Sequence, residues 1–242
     1  MGVMKARRVR LAGTRALLPA LAAVLISCSS SVSSATPTPR PTPTRTPIPT
    51  PSETPDNLTV MVSGSGVGSY LLAAIPVAVI KNDAGGHAVT GVIVHFITKR
   101  GGSTLGSLDS VPVNLAAGES LGVAANCTDA CNNANGVDVS LAVGGWRDSP
   151  GVTFTASGAT YQCGTCRGGH GYGRVSGTLS TGSLGQGVAV AAFAVCRDSS
   201  GTILGGGTSQ LVWPGGSSMA IQVSVVINDA PASCELGAST GW

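Results

Sequence analysis

The chain has 242 residues, of which 10% are charged and 4% are aromatic, and it contains 35 glycines. Its formal net charge of +3 comes from the amino-terminal region, because residues 57–242 hold seven basic and nine acidic residues and therefore carry a net charge of −2. A nucleic-acid-binding protein needs a basic patch on its folded part. The charge distribution therefore predicts no nucleic-acid partner.

Residues 1–27 are predicted to be a signal peptide. Basic residues from Lys5 to Arg15 precede an apolar run from Ala16 to Ile26, which has the length of a secretory h-region. A helix that spans a bilayer needs about 20 apolar residues. The run is therefore too short to serve as a transmembrane anchor.

The apolar run ends in Leu25-Ile26-Ser27-Cys28. This sequence resembles the lipobox of bacterial lipoproteins, in which the signal is cleaved before the cysteine and the cysteine is acylated. The resemblance implies that Cys28 is the lipid attachment site and that the protein is held on the extracytoplasmic side of the cell membrane. Acyl chains explain such anchoring, since each buried CH₂ group contributes about 0.8 kcal/mol. The alternative is an ordinary signal peptide that is cleaved nearby.

Residues 28–56 are predicted to be a disordered, lipid-anchored linker rich in serine, threonine and proline. Prolines alternate with threonine or arginine from Pro37 to Pro43, and Pro47 follows after Thr44-Arg45-Thr46. Each proline fixes φ and removes a backbone donor. Such a segment is expected to be an extended, polyproline-like spacer. It would hold a folded region away from the membrane.

Residues 57–242 are predicted to be all-β and antiparallel. Short runs rich in valine, isoleucine, leucine and threonine are separated by clusters of glycine, asparagine, aspartate and serine. Leu71–Ile80 is predicted to be a strand, with a hairpin turn at Lys81–Gly86. The glycine-rich stretch Gly64–Gly68 lacks the residues that complete a phosphate-binding loop, and it is predicted to be a flexible turn.

An internal repeat divides this region. Val92–Lys99 corresponds to Ala189–Cys196, about 97 residues later, and each segment is followed by a polar turn and a Leu-Gly pair. This offset matches the size of a small β-sandwich. We therefore predict two tandem β-sandwich modules, at residues 57–147 and 148–242.

A phenylalanine occupies the same position in both repeats, at Phe96 and Phe193. Each repeat has a strand with an inward phenylalanine, then a polar turn, then further strands around a glycine turn. This order resembles that of small bacterial β-sandwich domains of the FxLYD type and related immunoglobulin-like modules. The resemblance implies non-catalytic surface or binding modules.

Six cysteines remain once Cys28 is assigned to the lipid. An even number of cysteines in an oxidising compartment predicts disulfides, although six cysteines allow fifteen pairings. Proximity in the repeat favours Cys196 with Cys234, and it leaves two short loops, Cys127 with Cys131 and Cys163 with Cys166. Crossed pairing of the two close pairs stays an alternative.

The close pairs also suggest a second alternative, a zinc-binding surface protein. Cys127, Cys131, Cys163 and Cys166 have a spacing that suits four thiolate ligands. Outside the membrane, thiols are usually oxidised first, so we expect disulfides and no cofactor.

The chain shows no recognisable catalytic motif. Its three histidines, His87, His95 and His170, stand apart from one another. No serine lies in a Gly-x-Ser-x-Gly elbow with the strand–turn–helix context that such a nucleophile needs. We therefore expect no enzyme activity, and a surface module that binds an extracellular protein or a glycan. The alternative is an enzyme whose site assembles around His170 and Asp148.

Overall fold

The computed structural model describes residues 58–127, 131–182 and 184–241. These residues form antiparallel β-sheets, which confirms the all-β sandwich prediction. The predicted signal peptide, the lipid site Cys28 and the predicted linker lie outside the described residues. Within the described ranges, no helix has the length and apolar character needed to span a membrane.

The strands of the first half lie between residues 60 and 147. They are β1 (Val60–Tyr70), β2 (Ala73–Asn82), β3 (Ala88–Arg100), β4 (Ser103–Asp109), β5 (Val113–Leu115), β6 (Ser120–Ala124), β7 (Gly136–Ala142) and β8 (Gly145–Arg147). One sheet has the order β1-β2-β6. The other is built on β3, which pairs with β4, β5, β7 and β8 along its length.

The strands of the second half form one sheet. They are β9 (Thr155–Arg167), β10 (His170–Ser180), β11 (Ala189–Arg197), β12 (Ile203–Val212), β13 (Ser218–Ile227) and β14 (Ser233–Ser239). Their order is β14-β11-β12-β13-β10-β9. β12 and β13 share a ladder of two residue pairs, which is the shortest ladder of this sheet.

The strand pairing of the second half repeats that of the first. β1 pairs with β2 and β2 with β6, just as β9 pairs with β10 and β10 with β13. Likewise β3 pairs with β4 and β7, as β11 pairs with β12 and β14. Phe96 and Phe193, aligned in the sequence repeat, are buried in the corresponding strands β3 and β11. The two halves therefore share these four strand pairings. They differ in that β12 pairs with β13 in the second half, whereas the counterparts β4 and β6 lie in separate sheets.

The hydrophobic core crosses the predicted module boundary, which falls between β8 and β9. Phe193 and Ile203 of the second half lie in the same buried cluster as Phe96 of the first half. Ala192 belongs instead to a second cluster around Trp213. Because alternate residues of a strand face opposite sides, β11 is buried on both faces. The described residues fall in one compact unit, and the number of domains stays a prediction.

The predicted flexible turn at Gly64–Gly68 is wrong, because these residues lie within β1. β1 crosses the second half at very short range. A Cβ on Gly68 would lie 1.9 Å from the carbonyl oxygen of Val226, and one on Gly205 would lie 2.7 Å from the Cα of Gly68. The glycines therefore permit close packing of backbones.

Candidate binding surface

Two hairpin turns that correspond in the repeat meet at one end of the molecule. The β1–β2 turn is formed by Leu71 and Leu72, and the β9–β10 turn by Gly168 and Gly169. The ring of Tyr70 lies between the two turns, with centroid distances of 5.8 Å to His170 and 5.4 Å to Tyr172. We name the cluster formed by five residues the tip patch. Its members are Tyr70, Leu71, Leu72, His170 and Tyr172.

The tip patch exposes large apolar side chains. Leu71 is 68% exposed, Leu72 is 73% exposed and Tyr172 is 41% exposed. Leu71 also has a φ of 54°, in the left-handed region that costs roughly 1–2 kcal/mol for residues other than glycine. Backbone strain of this kind concentrates at functional sites, where the surrounding structure maintains it. The turn therefore displays two leucines, the first of which has an unfavourable backbone conformation.

The prediction of a strand over Leu71–Ile80 is wrong at its first two residues. β2 begins at Ala73, and the two leucines that precede it form the turn. Two adjacent leucines follow the apolar pattern of the strand, whereas turns are usually marked by glycine, proline or short polar residues. The apolar pattern therefore predicts a buried strand at Leu71 and Leu72, whereas the fold exposes both residues in a turn.

Asn228 holds the tip of β1 in place. Its side-chain oxygen accepts a hydrogen bond from the backbone nitrogen of Ser69 at 2.7 Å, and its side-chain nitrogen donates to the carbonyl oxygen of Val67 at 2.6 Å. Asn228 lies just after β13, in the other half of the repeat. The position of the tip patch is therefore fixed by a polar contact between the two halves.

A disulfide lies beside the patch, in strand β9. Cys163 and Cys166 are paired, with their Cα atoms 6.0 Å apart. The Tyr161 hydroxyl lies 3.3 Å from the Cys166 sulfur, and burial raises the pKa of Tyr161 above its ordinary value. A disulfide sulfur carries no hydrogen, so the Tyr161 hydroxyl is the donor in this contact. The pair closes a short loop next to the hairpin that carries His170 and Tyr172.

The other four cysteines also form pairs. Cys196 and Cys234 lie directly opposite each other in β11 and β14, with Cα atoms 4.1 Å apart. Cys127 and Cys131 are paired with a Cα separation of 5.9 Å. The predicted disulfides agree with these three pairs.

The alternative zinc site needs Cys127, Cys131, Cys163 and Cys166 together. The structure pairs them two and two instead. In the part of the chain that the structure describes, no group of three or more histidine, cysteine, aspartate or glutamate side chains could hold a metal ion.

The residues of the alternative enzyme site have separate partners. The Asp148 carboxylate lies 2.9 Å from the imidazole of His87, whereas the ring of His170 packs against Tyr70. His95 pairs with Asp109 at 2.5 Å across β3 and β4. The three histidines therefore have different partners, and His170 and Asp148 do not contact each other in this structure.

A cleft of about 310 Å³ lies next to the His87–Asp148 pair. No local sequence pattern predicts it. Ala88 and Arg147, the chain neighbours of these two residues, line it together with Asn114, Ser149 and Thr240. The cleft lies on β3, β5 and β8 and on the segment after β14. It is therefore separate in sequence from the two hairpins of the tip patch.

No protein-family model matches the chain, and no curated protein matches it. Among solved structures, the chain is similar to a β-glucuronidase from glycoside hydrolase family 2, at 11% sequence identity and a TM-score of 0.22. The match covers 66% of this chain and 20% of the β-glucuronidase chain. At this TM-score the similarity carries no argument about function.

Proposed function

We propose that the protein is a cell-envelope lipoprotein whose β-sandwich region binds a partner protein, without catalysis, on the extracytoplasmic side of the cell membrane. The observation that carries the proposal is the exposure of Leu71 and Leu72 within the tip patch. Contiguous exposed apolar groups on a soluble fold mark interaction sites. The patch combines such groups with aromatic rings, which are enriched at protein interfaces.

The tip patch has the properties of an energetic centre for binding. Tyrosine supplies a large contact area at a low cost in side-chain entropy, because it has two rotatable χ angles. Asn228 fixes one hairpin, and the Cys163–Cys166 disulfide lies in the other. A surface that is already ordered before binding loses less entropy when the partner arrives.

The lipid on Cys28 and the linker would present the folded region to partners. A polyproline-like segment rises by up to about 3.1 Å per residue. Such a linker would hold the tip patch clear of the membrane surface.

The lipid part of the proposal is tested by mass analysis of the protein purified from membranes. We expect the polypeptide to begin at Cys28, with a mass increased by acyl chains. The C28S variant should lose this increase and leave the membrane fraction. A wild-type protein that lacks acyl mass would overturn the lipid anchor.

The binding part is tested by chemical cross-linking on intact cells. Wild-type protein is compared with the double variant L71S/L72S and with the control V212S, because Val212 is a 66% exposed apolar residue in β12. We expect a discrete cross-linked product for the wild type and for V212S, and its loss from L71S/L72S. Equal yields from all three proteins would contradict a role for the tip patch.

A further inference from the structure

One face of the second-half sheet presents almost entirely neutral hydrogen-bonding groups. On β9, β10 and β13, the alternate residues that point inward include Val175, Leu179 and Val223, which are buried in the core around Trp213. The residues between them point outward. We name this outward set the hydroxyl face. It consists of Thr155, Ser157, Thr160, Gln162, Arg174, Ser176, Thr178, Ser180, Ser218, Gln222 and Ser224, with the apolar Ala220 among them on β13.

These side chains form rows across the three strands. The central row joins Thr160, Ser176 and Gln222, which are register partners. Gln222 donates a side-chain hydrogen bond to the Ser176 hydroxyl at 3.3 Å. Neighbouring strands lie about 4.8 Å apart, and successive rows about 6.8 Å apart along a strand. The face is therefore an array of donors and acceptors, which a bulge in β9 interrupts between the rows of Ser176 and Thr178.

Two depressions lie along the array. One has a volume of about 300 Å³. A glycine and several hydroxyl-bearing residues line it, among them Thr155, Ser180 and Thr181. The other, of about 190 Å³, is lined by Gln162, Arg174 and their neighbours. The face continues along β10 to the exposed ring of Tyr172. A chain-like ligand that follows β10 would cross both depressions.

The chemistry of the array selects one class of ligand. Hydroxyl and amide side chains both donate and accept hydrogen bonds, and serine is depleted at protein–protein interfaces. Arg174 is the charged member of the hydroxyl face, and Arg167 lies on the same side of the sheet two rows beyond it. A polyanion requires a more extensive basic patch than two separated arginines. A neutral polymer that is itself rich in hydroxyl groups matches both the charge and the hydrogen-bonding capacity.

We propose that the hydroxyl face binds a neutral polysaccharide that lies along β10. This site is a second one, beyond the protein-binding tip patch, and its members are different residues. Tyr172 borders both surfaces and is left unchanged in the variants of both tests. Either proposal can therefore fail without the other.

The test is affinity electrophoresis of the full-length protein in gels that contain a β-1,3-glucan, mannan, dextran or arabinogalactan, or a sulfated polysaccharide as the anionic comparison. We expect at least one neutral polysaccharide to retard the protein, and the sulfated one to have no effect. The triple variant T160A/S176A/Q222A removes the central row. The dissociation constant obtained from its retardation should be at least tenfold higher than that of the wild type.

The matched control is S103A/T104A/S107A, which removes three exposed hydroxyl groups from β4 on the other half. This control should bind like the wild type. The proposal is overturned if no neutral polysaccharide retards the wild type, if the sulfated polysaccharide is bound as well as a neutral one, or if both triple variants lose binding equally. None of these outcomes changes the result expected of L71S/L72S in the cross-linking test, so the two proposals are tested separately.

Discussion

Tyr70 and Tyr172 lie edge to face, with ring centroids 5.4 Å apart and planes inclined at 86°. The contact joins the β1–β2 hairpin of the first half to the corresponding β9–β10 hairpin of the second. The proposed binding surface thus arises where two equivalent elements of the repeat come together, and neither half contains it alone.

The tyrosine pair should show energetic coupling. A double-mutant cycle of Y70A and Y172A compares the loss of unfolding free energy in the double variant with the sum of the losses in the two single variants. We expect these two quantities to differ by about 0.5–1 kcal/mol, because aromatic pairs contribute beyond their buried area. Urea denaturation measures the three variants. Additive effects would show that the two hairpins do not stabilise each other through these rings.

Glu119 should make the stability depend on pH. Burial raises its pKa from 4.5 to about 7, against the opposing effect of a hydrogen bond from the Ala116 backbone nitrogen at 2.6 Å. Between pH 4.5 and 7, the folded protein therefore retains a proton that the unfolded chain has released. The free energy of unfolding should fall as pH rises through this window, by at most about 3 kcal/mol.

The E119Q variant keeps an oxygen that can accept the hydrogen bond from Ala116, and it removes the titration. We expect its unfolding free energy to vary less between pH 4.5 and 7 than that of the wild type. D198N is the control. Hydrogen bonds, first that from the Ser200 side chain, lower the pKa of Asp198 below its ordinary 3.8, so its titration lies below this window. An unchanged pH slope in E119Q would contradict the account.

Each disulfide should contribute to the free energy of unfolding according to the length of the loop that it closes. Cys196–Cys234 has a sequence separation of 38 and Cys163–Cys166 a separation of 3. The chain-entropy relation gives about 4 kcal/mol for the long loop and about 2 kcal/mol for the short one. We expect C196A/C234A to lower the free energy of unfolding by about 2 kcal/mol more than C163A/C166A. The reverse order in urea denaturation would be inconsistent with this pairing.

The glycines of β12 should be intolerant of a side chain. A Cβ on Gly207 would lie 1.8 Å from the carbonyl oxygen of Ser224, whereas one on Gly85 would meet nothing within 4 Å. Forcing atoms into a packed interior costs about 1–3 kcal/mol or more. G207A should therefore lower the melting temperature strongly, and G85A should leave it nearly unchanged. Equal melting temperatures would mean that the strands can separate at little cost.

Short apolar runs bounded by turn residues predicted several strands of this fold. The runs around Phe96 and Phe193 identified β3 and β11, and the polar turns after them identified the hairpins. Such runs are sufficient here because short apolar segments between turn signals are typical of strands. The opposition of Cys196 and Cys234 followed from the same repeat.

The tip patch was not predictable in the same way. Leu71 and Leu72 continue an apolar strand pattern, and their exposure depends on where the chain turns. The glycines at Gly64–Gly68 have the composition of a turn, yet they serve a close crossing of β1 with β12 and β13. Contacts between distant strands determine both outcomes, and a single sequence does not encode such contacts in a local pattern.

The central claim is that the tip patch binds a protein outside the membrane, and site-specific photo-cross-linking tests it most directly. A photoreactive residue replaces Leu72 in one variant and Val212, which is similarly exposed, in another. Intact cells of both variants are irradiated. The account predicts a discrete protein adduct from position 72 and none from position 212. No adduct at position 72, or the same adduct at both positions, would contradict it.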